Sequence, residues 1–299
     1  MEHLGFRLLR GLLLSVPEGL ALGFGGFLGW VMGSVLRIRR SVVEENIARA
    51  FPRRDRAWRR RIAAASYRHL GREAVATFRL AGSSSERVRS VTRVEGLEAL
   101  EAALAEGRGV VMVAGHLGNW EMGGAALAAR GLPVDAVVQV QRNPRFDEDL
   151  RRARERLGIR IMSKQSAPRA VLQSLREGHL AALVADQNVV RGGVFVDFFG
   201  TPAATARGPA VFALRTGAPL WAGVALKIDG GRGYRVMVRP VSIPLTGDQE
   251  EDVRRLTRAH LSILESWIEE APEQYFWLHK RWKSRPPIPE PAPGRDDIS

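Results

Sequence analysis

A chain of 299 residues, 45% hydrophobic and 26% charged, has the composition of a protein that buries a core, which excludes a wholly disordered polypeptide. It contains no cysteine, so disulfides, thiolate nucleophiles and thiolate-built metal sites are excluded as well. A formal net charge of +13 turns the surface toward anionic partners: nucleic acid, an anionic membrane, or acidic and phosphate-bearing molecules.

Residues 19–36 (GLALGFGGFLGWVMGSVL) carry no charge over 18 positions, only just the length at which a spanning helix becomes plausible. Pro17 and Glu18 interrupt the apolar stretch upstream, and Arg7, Arg10, Arg37, Arg39 and Arg40 flank it. The segment starts late and lacks an Ala-x-Ala-like site, against a cleaved signal peptide. It reads as a membrane anchor, spanning or lying in the interface, with a buried core helix as the alternative. Arginines just after Leu36 put the large C-terminal portion on the cytoplasmic side.

From Ser41 to about Ala81 the apolar spacing is helical, with Pro52 closing its first part. Arg53, Arg54, Arg56, Arg59, Arg60 and Arg61 form a solvated face or a lipid-phosphate contact. Beyond Gly82, short apolar runs alternate with amphipathic stretches. Strands are expected near 109–114, 134–140, 159–162, 180–185, 219–228 and 233–240. Helices are expected near 119–130, 145–157, 167–176, 205–216 and 248–270. This alternation predicts an α/β fold, a mixed, mostly parallel sheet flanked by helices. Three parts follow: an anchor over 1–40, a catalytic domain over 41–285 and a proline-rich tail over 286–299.

The stretch with most chemistry in it is 110–121, VVMVAGHLGNWE: a buried strand, a glycine-bounded turn and a helix start. His116 then lies at the carboxyl end of a strand, where ligands collect in open α/β sheets. Neutral imidazole is the usual general base for a hydroxyl, and a nearby carboxylate fixes its tautomer. Glu121, five residues on, could meet His116 only if the histidine lies in the turn, because five positions of helix would set them about 140° apart. An incidental His beside a Glu is the competing reading. Arg154 is a candidate for phosphate or an oxyanion, or one of several surface arginines on its helix. Asp186 and Gln187 end an apolar strand and so belong at the same sheet edge as His116; a plain strand-ending turn is the alternative. Phe198 and Phe199 suit a core or the wall of a groove. In 272–283, Tyr275, Phe276, Trp277 and Trp282 interleave with His279, Lys280, Arg281 and Lys283, as at a membrane interface or in a buried amphipathic helix.

His116-x-Gly118-Asn119-Trp120-Glu121 resembles the signature of the late acyltransferases of lipid A biosynthesis, within the wider glycerolipid acyltransferase superfamily and its His-x4-Asp/Glu motif. Four further blocks resemble the family in order: Arg40 to Pro52, Gln141 to Gly158, Asp186 to Thr201, and Pro272 to Lys283. The resemblance implies that an acyl chain passes from an acyl carrier protein or coenzyme A thioester to a glycolipid hydroxyl, most simply on a lipid A precursor. It implies His116 as base, Glu121 as its orienting partner, and Asn119, Arg154, Asp186 and Gln187 on the substrates. It also implies no metal or cofactor, an anionic membrane as partner, and a site on the cytoplasmic side of the bacterial inner membrane. A phosphatidylinositol mannoside acceptor, or water in a thioesterase, would fit the same pair. A basic nucleic-acid-binding protein would use the charge, but no recognised binding motif occurs and the apolar N-terminal segment would have no purpose. Gly-x-Ser-x-Gly and Gly-x4-Gly-Lys-Ser/Thr motifs are absent from the sequence.

Overall fold

A computed structural model describes residues 15–139, 144–228, 230 and 233–286. The proline-rich tail beyond Pro286, and Gln141 to Asn143 of the block from Gln141 to Gly158, lie outside the described residues.

The first described helix, α1 (Glu18–Trp30), continues through a single π turn (Val31–Val35) and then turns sharply. Helix α2 (Arg40–Ala50) follows, and α3 (Arg56–Leu80) begins where the Asp55 carboxylate accepts the Trp58 amide at 2.7 Å, a side-chain cap on otherwise orphaned N–H groups. Gly25 and Gly29 of α1 meet Gly71 of α3 backbone to backbone: a methyl group on Gly71 would sit 2.0 Å from the Gly25 carbonyl oxygen. Small residues four apart permit this close crossing. Gly71→Ala is expected to push α1 off α3 and lower stability by about 1–3 kcal/mol, the usual cost of overpacking; an unchanged denaturation midpoint would refute the crossing.

Among the described residues no single helix is long and apolar enough to cross a membrane, and the bent pair of Glu18–Val35 with Arg40–Ala50 turns by 93°. A straight spanning anchor is therefore not what these residues form. One side of α1 packs on α3, while Leu20, Phe24, Phe27 and Leu28, with Val35, Leu36 and Ile38 just beyond, stay exposed.

Short elements α4 (Ser85–Ser90), β1 (Thr92–Glu95) and α5 (Leu97–Ala105) lead into the main alternation. Then come β2 (Val110–Gly118), α6 (Trp120–Ala128), β3 (Val134–Val138), α7 (Pro144–Arg156), β4 (Ile159–Ser163), α8 (Ala167–Arg176) and β5 (Leu180–Val184). A hairpin of β6 (Gly193–Phe198) and β7 (Thr201–Ala206) precedes α9 (Gly208–Thr216), β8 (Leu220–Lys227), β9 (Tyr234–Val241) and α10 (Gln249–Glu270). Seven strands form one sheet in the order β1-β9-β8-β2-β5-β3-β4, parallel at every pairing except β8 with β9.

Alternation along β2 assigns its side chains to two cores, as the period of two requires. Val111 and Val113 join the layer formed by α10, α9 and the C-terminal segment, whereas Val110 and Met112 join the layer formed by α4, α5 and α6. Two expectations change, and one element is new. The new element is the hairpin β6–β7, which pairs outside the main sheet and packs on α10. It takes residues 201–206, so the following helix starts at Gly208 rather than near 205. The aromatic block after Pro272 is not an amphipathic helix but a single 3-10 turn (Pro272–Gln274) followed by irregular chain. That chain is fastened from outside itself: the Asn46 amide donates to the Trp277 and His279 carbonyls at 2.8 and 2.6 Å. Buried Arg281 donates to the Ala204 carbonyl and the Thr205 hydroxyl at 2.8 and 2.6 Å.

Candidate active site

β2 does not stop at Ala114. Its pairing with β5 ends at Ala114 opposite Val184, its register against β8 then shifts, and the strand runs on to Gly118. His116 therefore sits on the irregular end of a strand, not in a free turn. Gly118 closes this end with φ +61°, and a Cβ there would lie 2.0 Å from the Ala225 carbonyl oxygen, so glycine is required on both counts. Asn119 next caps α6, its side-chain oxygen accepting the Met122 amide at 2.9 Å. The amide of that side chain donates to Glu73 at 2.8 Å, and the Tyr234 hydroxyl donates to the same carboxylate oxygen at 2.7 Å. Asn119 is buried, and these bonds make it the hinge pin between β2 and α6.

The carboxylate that meets His116 is Asp186, not Glu121. β5 lies beside β2 in parallel, so both strands deliver their carboxyl ends to one edge. There the His116 backbone N–H donates to Asp186 Oδ2 at 2.9 Å, and Nδ1 lies 2.6 Å from Oδ1. Burial by itself would raise the Asp186 carboxyl, but the charge of His116 and the bonds from its ring and backbone outweigh it and hold the group at about 2. An ionised Asp186 is acceptor only, so Nδ1 carries the proton and Nε2 keeps its lone pair. The Gln187 amide approaches that lone pair, Nε2 to Nε2, at 3.3 Å. Burial pulls the His116 ring down, yet the neighbouring Asp186 charge and hydrogen bond carry it above its ordinary 6.5. Trp120 stands edge-on to the imidazole with ring centres 4.8 Å apart, and Phe276 lies on it at 6.0 Å.

Glu121 faces α7 instead. Arg154 grips its carboxylate with two bonds, Nε at 2.9 Å and Nη2 at 2.6 Å, the fork geometry that guanidinium offers. This pair is mostly buried and, like His116 and Gln187, lines one cavity of about 820 Å³. From this polar end the cavity runs into the α6-side core, where Met112, Leu127, Val134, Ile159, Leu180 and Val238 line it. Such a volume accommodates a long apolar ligand.

His279 makes its hydrogen bond beside this cluster rather than to His116 or Asp186: its Nε2 accepts the Asn188 backbone N–H at 2.9 Å and so fixes the loop that carries Gln187. Phe198 is fully buried, and Phe199 is packed on the core beside it. Asp135, Glu177 and His179 converge elsewhere as potential metal donors, but Arg160 donates to both carboxylates, making this an ion-pair network. Sequence reasoning missed the mutual pairing of His116 with Asp186 and the flanking Trp120 and Phe276. The only signal for the pairing was that both 110–116 and 180–186 read as an apolar strand ending in a polar residue.

The fold and site define an α/β protein with a strand-end imidazole, held by a buried carboxylate, at the polar mouth of a deep apolar cavity. Residues 2–284 match the family model described as bacterial lipid A biosynthesis acyltransferase, and the chain belongs to that family of acyltransferases. It is 29% identical to the lipid A biosynthesis palmitoleoyltransferase of Escherichia coli (strain K12), over 92% of this chain and 89% of that protein. To the lipid A biosynthesis lauroyltransferase of the same organism it is 26% identical, with 92% and 89% covered. It is 31% identical to the phosphatidylinositol mannoside acyltransferase of Mycobacterium tuberculosis (strain CDC 1551 / Oshkosh), over 73% of this chain and 69% of that protein.

Proposed function

We propose that the protein moves a fatty acyl chain from a thioester, on acyl carrier protein or coenzyme A, to a hydroxyl of a membrane glycolipid. One observation carries this reading: a base with Nδ1 fixed and Nε2 available stands where an 820 Å³ apolar cavity reaches the polar mouth. The acyl chain fills the cavity among Met112, Leu127 and Val238, bringing the thioester carbonyl to the mouth. His116 Nε2 takes the acceptor hydroxyl's proton as the oxygen attacks the carbonyl carbon. The C–S bond then breaks, and the imidazolium returns its proton to the departing thiolate. Asp186 holds the tautomer and stabilises the transient imidazolium. Arg154, fixed by Glu121, supplies positive charge for the tetrahedral oxyanion or a substrate phosphate. Gln187 holds Nε2 until the hydroxyl replaces it.

The acceptor proposed first is a lipid A precursor, as the names of the E. coli relatives suggest; a phosphatidylinositol mannoside is the second reading. The exposed apolar side chains of α1 and the turn after it, with Arg37 and Arg39 beside them, suit a helix lying in the interface of the inner membrane. The site would then face the cytoplasm, where acyl carrier protein is found, and the +13 charge suits that acidic partner and anionic lipid alike.

Mass spectrometry of lipids after incubation with acyl-carrier-protein thioester and each acceptor tests the reaction. A mass gain of one acyl chain on one acceptor is the expected result. Free fatty acid as the sole product, with every acceptor present, would instead mark a thioesterase.

Arg154→Lys keeps a cation but loses the two-point grip on Glu121. Its kcat is expected to fall about 10- to 100-fold with the fold intact, and Glu121→Gln should behave alike. Unchanged kinetics in both variants would reduce the pair to a tie between α6 and α7.

A further inference from the structure

Behind the His116–Asp186 pair, on the α10 side of the sheet, lies a second and much smaller cavity of about 10 Å³. Its sheet wall is Val113 with the small residues Ala114, Gly115, Ala222 and Gly223, and its remaining lining is Asp186, His260, Leu264 and Trp267. His260 and Trp267 are seven residues apart on α10, two turns, and so share one face. Both are almost wholly buried, at 3% and 2% exposure. His260 Nε2 and Trp267 Nε1 have no hydrogen-bond partner within the protein. Two orphaned polar atoms beside a carboxylate, around a space the size of one water, are the conditions under which internal water binds.

We propose that this cavity binds one water, which accepts the indole N–H of Trp267 and donates its two protons to His260 Nε2 and to the Asp186 carboxylate. Every partner is then satisfied, because indole can only donate, a carboxylate can only accept, and neutral imidazole offers one lone pair. His260 is neutral there: burial, followed by the charge of Arg281, pushes it down to about 4. The water gives Asp186 a support independent of His116, and makes His260 and Trp267 positioning residues for the pair. That positioning role rests on His116 being the base; the water site rests only on the orphaned atoms.

The charged and titratable groups around Asp186 are His116 on β2, Tyr275, His279 and Arg281 on the C-terminal segment, and His260 on α10; Glu265 of α10 acts on Arg281. Removing a donor from Asp186 concentrates its charge on His116, so the ring holds its proton to higher pH.

The test joins a crystal structure of the full chain to kinetics of Trp267→Phe, which deletes the N–H and keeps the ring, and of His260→Leu and His260→Gln. Density for a water between Trp267 Nε1, His260 Nε2 and Asp186 is expected. Trp267→Phe and His260→Leu should lower kcat about tenfold with little change in KM, in keeping with a partner one step removed, and shift the acid limb of kcat/KM upward. His260→Gln, still polar, should recover most of the loss. A dry cavity overturns the proposal, as does a wild-type acid limb in both Trp267→Phe and His260→Leu. If the wild-type protein proved inactive as an acyltransferase, the density would still decide whether the water binds, so the two failures are separable.

Discussion

Replacing His116 with alanine is expected to lower kcat by about 10²–10⁴, the range lost with a positioned general base, while the protein stays folded. The imidazole keeps side-chain exposure of 21%, so truncation removes no large block of core. Its backbone contacts, N–H to Asp186 and carbonyl to the Phe276 amide, survive the change. Donor affinity should hold, because the apolar cavity is formed by other residues. The readout is acylated lipid per unit time at saturating thioester, beside a thermal melt. Turnover near that of the wild type in a folded His116→Ala protein would end the proposed mechanism.

The second large effect is expected from Asp186→Asn. The amide keeps the size of the side chain but presents N–H groups where His116 offers two donors, its backbone N–H and Nδ1–H. One donor must lose its acceptor, or the ring must move its proton to Nε2 and lose the lone pair that the reaction needs. A fall in kcat of about 10²–10⁴ is expected if His116 is the base, the size of loss seen when a serine protease's histidine is driven into the wrong tautomer. The pH profile separates this from mere disorder. His116 lies above its ordinary 6.5 because Asp186 outweighs the effect of burial, so the acid limb of wild-type kcat/KM should lie above 6.5. Without the carboxylate charge, burial dominates and the limb should move to lower pH. An unmoved limb would show that Asp186 does not set the base.

Stability carries the same signature. A carboxyl depressed to about 2 from 3.8 stabilises the native state fully above its unfolded value. That contribution is lost as pH falls from about 4 toward 2. His116 works in the opposite sense: its raised value favours the fold below 6.5, and that gain fades as pH rises through the folded value. Acid denaturation of Asp186→Asn should therefore show a weaker pH dependence between about 4 and 2 than the wild type.

Much of this protein was legible in local patterns. Apolar runs such as 110–114 and 180–184 identify buried strands because parallel strands are covered on both faces. The helix at 249–270 shows itself by spacing, and Asp248 caps it by accepting the Glu250 and Glu251 amides. The ordered blocks pointed to the family because each local sequence carries its own constraint. Arg154 and Glu121 were both singled out, but not as partners of one another. Strand 193–198 gives no signal tied to the main sheet because it pairs only with its own hairpin arm, while the aromatic block after Pro272 has the composition of a helix and is held as irregular chain by bonds from Asn46 and from Arg281 to the hairpin. Tertiary structure alone could choose the carboxylate for His116. The motif offers Glu121 five residues away, but the short helix start carries that side chain toward α7 and Arg154. Asp186, 70 residues distant, arrives because β2 and β5 are parallel neighbours whose ends share one edge. Strand adjacency is set by the packing of whole helical layers across the sheet, and no local run of sequence records it.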